Sequence, residues 1–213
     1  VAINLTAIRD PVAIATRHVI DSLTGLAVLR DRHIDGFVDL GSGGGFPGIP
    51  LAAALPADRA LLIDSIGKKV RFLATVVDAV GLGDHVAAEP ARAESLAASR
   101  ADRSRWPAVT ARAVGPLAEL IELAFPLLRP GGVLVAWKRV SSEDPLGLEE
   151  EVAAARRALV AIDPSARIVV EAPIGALDLA DLFDHRLVTV ERGPGPIAAT
   201  WPRDPATRRR QPW

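Results

Sequence analysis

Short apolar runs alternate along the chain with stretches of helical periodicity. The runs fall near residues 36–40, 60–64, 86–88, 108–111, 133–137, 168–171 and 187–191. They are too brief for helices and nearly continuous in apolar character, as strands covered on both faces are. Between them, Val70, Leu73, Val77 and Val80 recur at helical spacing, and Gly81 ends that helix. Asp10-Pro11 reads as a cap and first helical residue, opening a helix that reaches about Leu29. Pro116 starts another that runs to about Leu128, and a further helix covers Glu149 to about Val160. Arg129-Pro130-Gly131-Gly132 predicts a turn before the fifth strand. This alternation predicts an α/β domain over residues 1–192, with a mostly parallel seven-stranded sheet and helices on both faces. Residues 193–213 read as a Pro/Arg-rich tail, and Pro194, Pro196, Pro202, Pro205 and Pro212 argue against a packed element there.

Composition narrows the class. A chain of 213 residues with 49% hydrophobic content and a mean hydropathy of +0.24 can bury a sizeable core and is not a disordered segment. The absence of an uninterrupted apolar run of membrane length predicts no membrane span, and a monomeric cytoplasmic enzyme is the expectation. With no Cys there is no disulfide framework and no thiolate metal site, and no metal is expected. The chain also has no Met, so Val1 is not an initiator as translated and a preceding piece is expected. The net charge of −1 means that a nucleic-acid partner would be drawn by local patches. Lys68, Lys69 and Arg71 form one such patch, and Arg203 with Arg208, Arg209 and Arg210 forms another.

The chemistry is concentrated at residues 37–48, Phe-Val-Asp-Leu-Gly-Ser-Gly-Gly-Gly-Phe-Pro-Gly. An apolar run ends in an acid and breaks into glycines, as a strand does when its backbone must approach a nucleotide-type ligand. Gly43, Gly45 and Gly48 spell the dinucleotide fingerprint. Asp39, Gly41, Gly43 and Gly45 equally spell the pattern of S-adenosylmethionine (SAM) methyltransferases. Asp64 ends the second apolar run 23 residues past Gly41, near the ~20 expected of an acid that binds ribose hydroxyls. Pro47 has no N–H to offer a pyrophosphate, and Asp39 suits a ligand carrying a sulfonium and an ammonium. Both features favour SAM over NAD. Charged residues at other strand ends, Arg112 and Lys138 above all, point to something anionic near the same cleft. For Arg112 the structural alternative is a buried ion pair with Glu119 or Glu122.

Several blocks carry a family resemblance. They are residues 4–9 (Asn-Leu-Thr-Ala-Ile-Arg), Arg17-His18-Val19-Ile20-Asp21-Ser22-Leu23, the glycine loop continued by Phe46-Pro47-Gly48-Ile49-Pro50, and Asp64 through Leu73. Arg92-Ala93-Glu94, Thr110-Ala111-Arg112-Ala113 and the stretch from Pro130 to Lys138 follow in order. In these the chain resembles the bacterial small-subunit (16S) ribosomal RNA guanine-N7 methyltransferases, also called glucose-inhibited division protein B. The resemblance implies a Rossmann-like SAM-dependent methyltransferase fold. It implies a SAM site at Asp39, Gly41, Gly43, Gly45, Phe46, Asp64, Ala93, Glu94 and Arg112, with Ala93 and Glu94 by the adenine. It further implies an RNA entrance at Arg17, Lys68, Lys69, Arg71 and Lys138, with His18, Arg112 and Lys138 nearest the chemistry and Asp21 bracing them. The implied partner is 16S ribosomal RNA or a small-subunit assembly particle. Departures are Lys69 where Arg is usual, Arg139 where glycine is common, and little family signal between Ser141 and Arg167.

Methylation at guanine N7 requires no general base, because that nitrogen carries a lone pair and no proton. Alignment and a dry pocket would then carry catalysis. The chain accordingly shows neither a Ser-His-Asp set nor a P-loop. His33, His85 and His185 show no partner pattern and receive no role, while Phe46 and Trp137 are the aromatics nearest the pocket. Two other readings remain open: an NAD(P)-dependent oxidoreductase, and a non-enzymatic RNA-binding protein with a relic pocket.

Overall fold

The computed structural model describes residue 8, residues 10–172 and residues 182–213. Of the Asn-Leu-Thr-Ala-Ile-Arg block, therefore, all but Ile8 lies outside the described residues. One seven-stranded sheet forms the centre, in the order β3-β2-β1-β4-β5-β7-β6. Its strands are β1 (Gly36–Leu40), β2 (Arg59–Asp64), β3 (Val86–Pro90), β4 (Trp106–Arg112), β5 (Leu128–Arg139), β6 (Arg167–Glu171) and β7 (His185–Glu191). The first five pair in parallel, and β7 runs antiparallel to both β5 and β6.

Strand alternation divides the core in two. Val38, Leu40, Ile63, Val109 and Leu134 face one layer, built on α6 (Ala93–Ala98), α7 (Leu117–Ala124) and α8 (Gly147–Ile162). Phe37, Leu62, Ala108, Val135 and Trp137 face the other, with Leu29, Leu51, Leu73 and Val77 from the opposite helices. Those helices are α4 (Gly48–Ala54), α5 (Gly67–Ala79) and an N-terminal helical run. Burial on both faces is why the strands read as continuous apolar runs.

The N-terminal run starts as expected: Asp10 caps α1 (Pro11–Ile14), accepting from the Ala13 N–H at 2.7 Å. It then widens into a π-helical turn (Ala15–Ile20) before α2 (Asp21–Leu23) and α3 (Leu26–Asp31). By length and composition alone Pro11–Asp31 would suffice to cross a membrane, with a mean hydropathy of 1.4. It is tied to the sheet at Asp21: Trp137 Nε1 donates to the Asp21 carbonyl at 2.8 Å. Gly25 lies under the same indole, where a Cβ would come within 2.5 Å of the ring.

Three expectations require correction. The helix from Pro116 stops at Ala124, because Pro126 lacks an N–H and the chain turns through Leu127 N–H to Ala124 carbonyl, 2.9 Å. Pro130-Gly131-Gly132 is no separate turn but a bend inside the long β5, made possible by Gly131 at φ +73°. The C-terminal segment does contain a packed element, α9 (Pro205–Arg210), with Pro205 in its first turn and Asp204 accepting from the Ala206 and Thr207 N–H groups at 3.0 Å.

Candidate functional site

The chain turns in opposite directions from β1, to β2 on one side and β4 on the other, and the glycine loop follows β1 at that switch point. Open α/β sheets bind ligands there. The loop has the left-handed backbone that glycine alone adopts freely: Gly41 at φ +64° and Gly45 at φ +94°. A Cβ on Gly41 would lie 2.8 Å from Val114, and one on Gly45 would lie 2.5 Å from Ile49. A side chain at position 41 would intrude on the cleft wall at Val114, whereas one at position 45 would clash with the packing of the loop on α4 and α5.

Asp64, at the end of β2, locks the loop. Its carboxylate accepts from the Gly43 N–H at 3.1 Å and from the Ile66 N–H at 2.8 Å, and Lys69 Nζ stands 3.6 Å away. A carboxylate has about four acceptor sites, so capacity for ribose hydroxyls remains. Asp39 behaves differently from its expected role. It is fully buried beneath the loop, where it accepts from Thr110 Oγ1 at 2.7 Å and lies against Gly48; it does not reach the cleft wall. Burial pushes its carboxyl up to about 6, against the hydrogen bonds that favour its charge. Its parity explains the placement: Asp39 follows Phe37 onto the α4 face.

The cleft beside the loop encloses about 340 Å³, within the ~300–1,000 Å³ usual for small-molecule sites. Gly41, Asp64, Lys69, Ala93, Glu94 and Arg208 are among its walls. Lys69, expected at an RNA surface, thus faces this cleft, whereas Lys68 and Arg71 on the same helix are exposed. Glu94 is paired with Arg208 from the C-terminal segment. Burial pushes the Glu94 carboxyl up, but the hydrogen bond and charge of Arg208 outweigh it and hold it below its ordinary value.

A second cavity, of about 420 Å³, adjoins the first at Ala113. Arg17, His18, Asp21, Arg112, Lys138 and His185 help to line it. Its centre is the buried Asp21. One carboxylate oxygen accepts from Arg112 Nη1 at 2.9 Å; the other meets His185 Nδ1 at 2.6 Å. Arg139 Nε donates to His185 Nε2 at 2.9 Å, so the histidine proton sits on Nδ1, facing the carboxylate. Arg112 thus pairs with Asp21 rather than with Glu119 or Glu122, because β4 alternation turns it toward the N-terminal helices. Its Nη2 donates to His18 Nδ1 at 3.0 Å, and the His18 ring stacks on Phe46 at 4.9 Å. Burial first, then the charge of Arg112, lowers the His18 pKa, and the ring is neutral at neutral pH.

Lys138 is not poised for a ligand as expected. Its ammonium donates to the Gly115 carbonyl at 2.8 Å and to Glu151 on α8, whose carboxylate also accepts from the Leu117 N–H. Lys138 therefore braces the loop between β4 and α7. Ala113, between the two cavities, holds φ +57°, a conformation uncommon outside glycine and frequent at functional sites.

The sequence assigns no role to His185 or Glu151, and it reads Arg208 as part of a basic patch, not as a wall of the cleft. His185 and Arg208 act on partners 164 and 114 positions away, and no local spacing marks such partners. Arg139, the departure from the glycine common in the family, does line the cavity and supports His185.

Comparison with known proteins agrees with this architecture. Residues 1–165 match the family model for rRNA small subunit methyltransferase G (GidB). A ribosomal RNA small subunit methyltransferase G from Deinococcus radiodurans is 40% identical over 213 residues, covering 99% of this chain and 78% of the relative. The same-named protein from Stenotrophomonas maltophilia is 46% identical over 137 residues, 64% of this chain and 61% of the relative, less than two thirds of that protein's length. Among solved structures, an O-methyltransferase from Bacillus cereus in complex with SAH superposes with a TM-score of 0.64 at 17% identity, covering 89% of this chain and 85% of that one. A SAM-dependent O-methyltransferase from Thermotoga maritima gives 0.60 at 13% identity, covering 91% and 69%. These two share the Rossmann-like fold. On the sequence match over most of its length, the chain belongs to the rRNA small subunit methyltransferase G (GidB) family.

Proposed function

We propose that this chain transfers a methyl group from SAM to N7 of a guanine in 16S ribosomal RNA, in the bacterial cytoplasm where ribosomes are assembled. The observation that carries the reading is the junction of two unlike cavities at Ala113. One is a glycine-cradled cleft with a ribose-type carboxylate, and the other is lined by Arg17, Arg112, Lys138 and Arg139.

In the first, Gly41 keeps the cradle open, Gly45 lets the loop pack on α4 and α5, Asp64 takes the ribose hydroxyls, and Ala93 with Glu94 borders the adenine. When bound, SAM supplies a methyl on a positively charged sulfur, so the N7 lone pair forms the new bond as the carbon–sulfur bond breaks onto sulfur. Asp39 acts from below, holding the end of β1 through Thr110. In the second cavity Asp21 fixes Arg112 so that its guanidinium keeps one orientation. A bidentate arginine would cover N7 as well as O6, and the hold of Asp21 on Arg112 prevents that pose. Arg17 at the rim, with exposed Lys68 and Arg71, attracts the phosphate backbone. No side chain is needed as a base, which agrees with a neutral His18 already accepting from Arg112.

The test is methyl incorporation from labelled SAM into small-subunit RNA. Transfer is expected with guanine at the target position and none when 7-deazaguanine replaces it. Equal transfer to both would place the methyl elsewhere, and no transfer to any ribosomal RNA would leave a binding protein.

A further inference from the structure

The C-terminal segment lies beyond the residues matched by the family model, yet it reaches into the cleft. Glu122 of α7 is fully buried and is its attachment point. Arg203 donates to Glu122 from its backbone N–H at 2.7 Å and from Nη2 at 2.7 Å, and Trp213 Nε1 donates to it at 2.9 Å. A buried carboxylate so compensated is costly to leave unpaired, so the segment is fixed to the body. From that base α9 projects Arg208 inward, its side chain only 9% exposed. Arg208 grips Glu94, donates from Nε to Glu119 at 3.2 Å, and is itself held through Nη1 to the Arg203 carbonyl at 2.8 Å.

We propose that Arg208 is a positioning residue for cofactor recognition: it fixes the Glu94 carboxylate so that this group accepts from the exocyclic amine of adenine. Recognition of the base then depends on the last residues of the chain. The inference rests on the SAM reading of the cleft. An ionised carboxylate only accepts hydrogen bonds, so it favours an amino group at C6 and opposes a carbonyl there. Arg208 keeps Glu94 in that ionised, acceptor-only form. A site built to bond an N–H discriminates strongly against an analogue without it.

The test compares S-adenosylhomocysteine (SAH) with S-inosylhomocysteine, which carries a carbonyl in place of the amine, by calorimetric titration. The wild-type chain should prefer SAH by about 100-fold or more. Arg208→Ala should reduce that preference at least tenfold, mainly through weaker SAH binding, and Arg208→Lys should restore part of it. Glu94→Gln, which leaves the Glu122 attachment intact, should give the same loss and serves if the alanine variant does not fold. A preference unchanged in Glu94→Gln or in folded Arg208→Ala overturns the inference, whatever happens to the melting temperature, because a purely structural clasp would alter stability alone. A wild-type chain that binds neither compound would overturn the cofactor reading first.

Discussion

The two adjoining cavities use similar side chains in opposite arrangements. In the glycine-loop cleft, Asp64 and Glu94 stand at the wall, each restrained by a cation, Lys69 or Arg208. In the neighbouring cavity the acid, Asp21, is withdrawn to 2% exposure, and the cations Arg17, Arg112 and Arg139 line the space, while Lys138 at its edge is tied to Glu151 and the Gly115 carbonyl. In the proposed function, the first arrangement presents acceptors to hydroxyls, an amine and a cationic sulfur. In the same proposal, the second presents positive charge to an anionic polymer, and one buried carboxylate, Asp21, holds Arg112 in place. In two of these pairs, Arg208–Glu94 and Arg112–Asp21, the more exposed partner faces the cavity and the more buried one sets its geometry; in Lys69–Asp64 the acid at the wall is itself the more buried member.

The largest expected effect comes from breaking the second arrangement. Asp21→Ala strands Arg112 and His185, and loss of one member of a buried pair typically costs ~3–5 kcal/mol. Chemical denaturation should show that loss, while SAH affinity of the folded fraction stays within a few-fold of wild type. A comparable collapse of SAH affinity would mean that the cavities are not separable.

Asp39→Asn probes the floor of the first arrangement. A carboxyl raised from 3.8 to about 6 in the folded state keeps its proton longer than in the unfolded chain. The penalty is therefore absent below pH ~4, grows through pH 4–6 and is complete above. The variant should gain stability over wild type across that window, by on the order of 3 kcal/mol in total. Melting curves at pH 4, 5, 6 and 7 give the difference; a constant offset would show that Asp39 does not titrate there.

Asp64→Ala removes a charged acceptor, and SAM should bind roughly 10- to 100-fold more weakly, in line with ~1.5–3 kcal/mol. It also frees the Gly43 N–H, so Asp64→Asn, which can still accept from that group, separates ribose binding from loop support. Direct titration decides. The mildest change is Lys68→Ala with Arg71→Ala, which should flatten the salt dependence of RNA binding by about two phosphate contacts without altering SAM. An unchanged slope would make that helix face a solvated surface only.

The difference between the cavities also governs how far each can be read from the chain. The glycine cradle and Asp64 are legible because a backbone constraint demands particular residues at short, fixed spacing. Asp39 shows the same pattern, but strand parity turns it under the loop, a fact that spacing alone does not carry. Lys69 and Lys68 are adjacent in the chain, yet helix rotation sends one to the cleft and the other to solvent. The clamp on Asp21 joins residues 164 positions apart, and the pair Arg208–Glu94 spans 114. Such pairs leave no periodic trace. The prolines of the C-terminal segment suggest an open tail, but Pro205 is a first-turn helical residue and Glu122 supplies the buried partner that holds the segment down.

The most direct test is a calorimetric titration of the wild-type chain with SAH and, separately, with NADH. One equivalent of SAH bound at micromolar affinity or better, with no heat from NADH, is the predicted result. Binding of NADH with none of SAH would contradict it, and the glycine loop would then belong to a dinucleotide site.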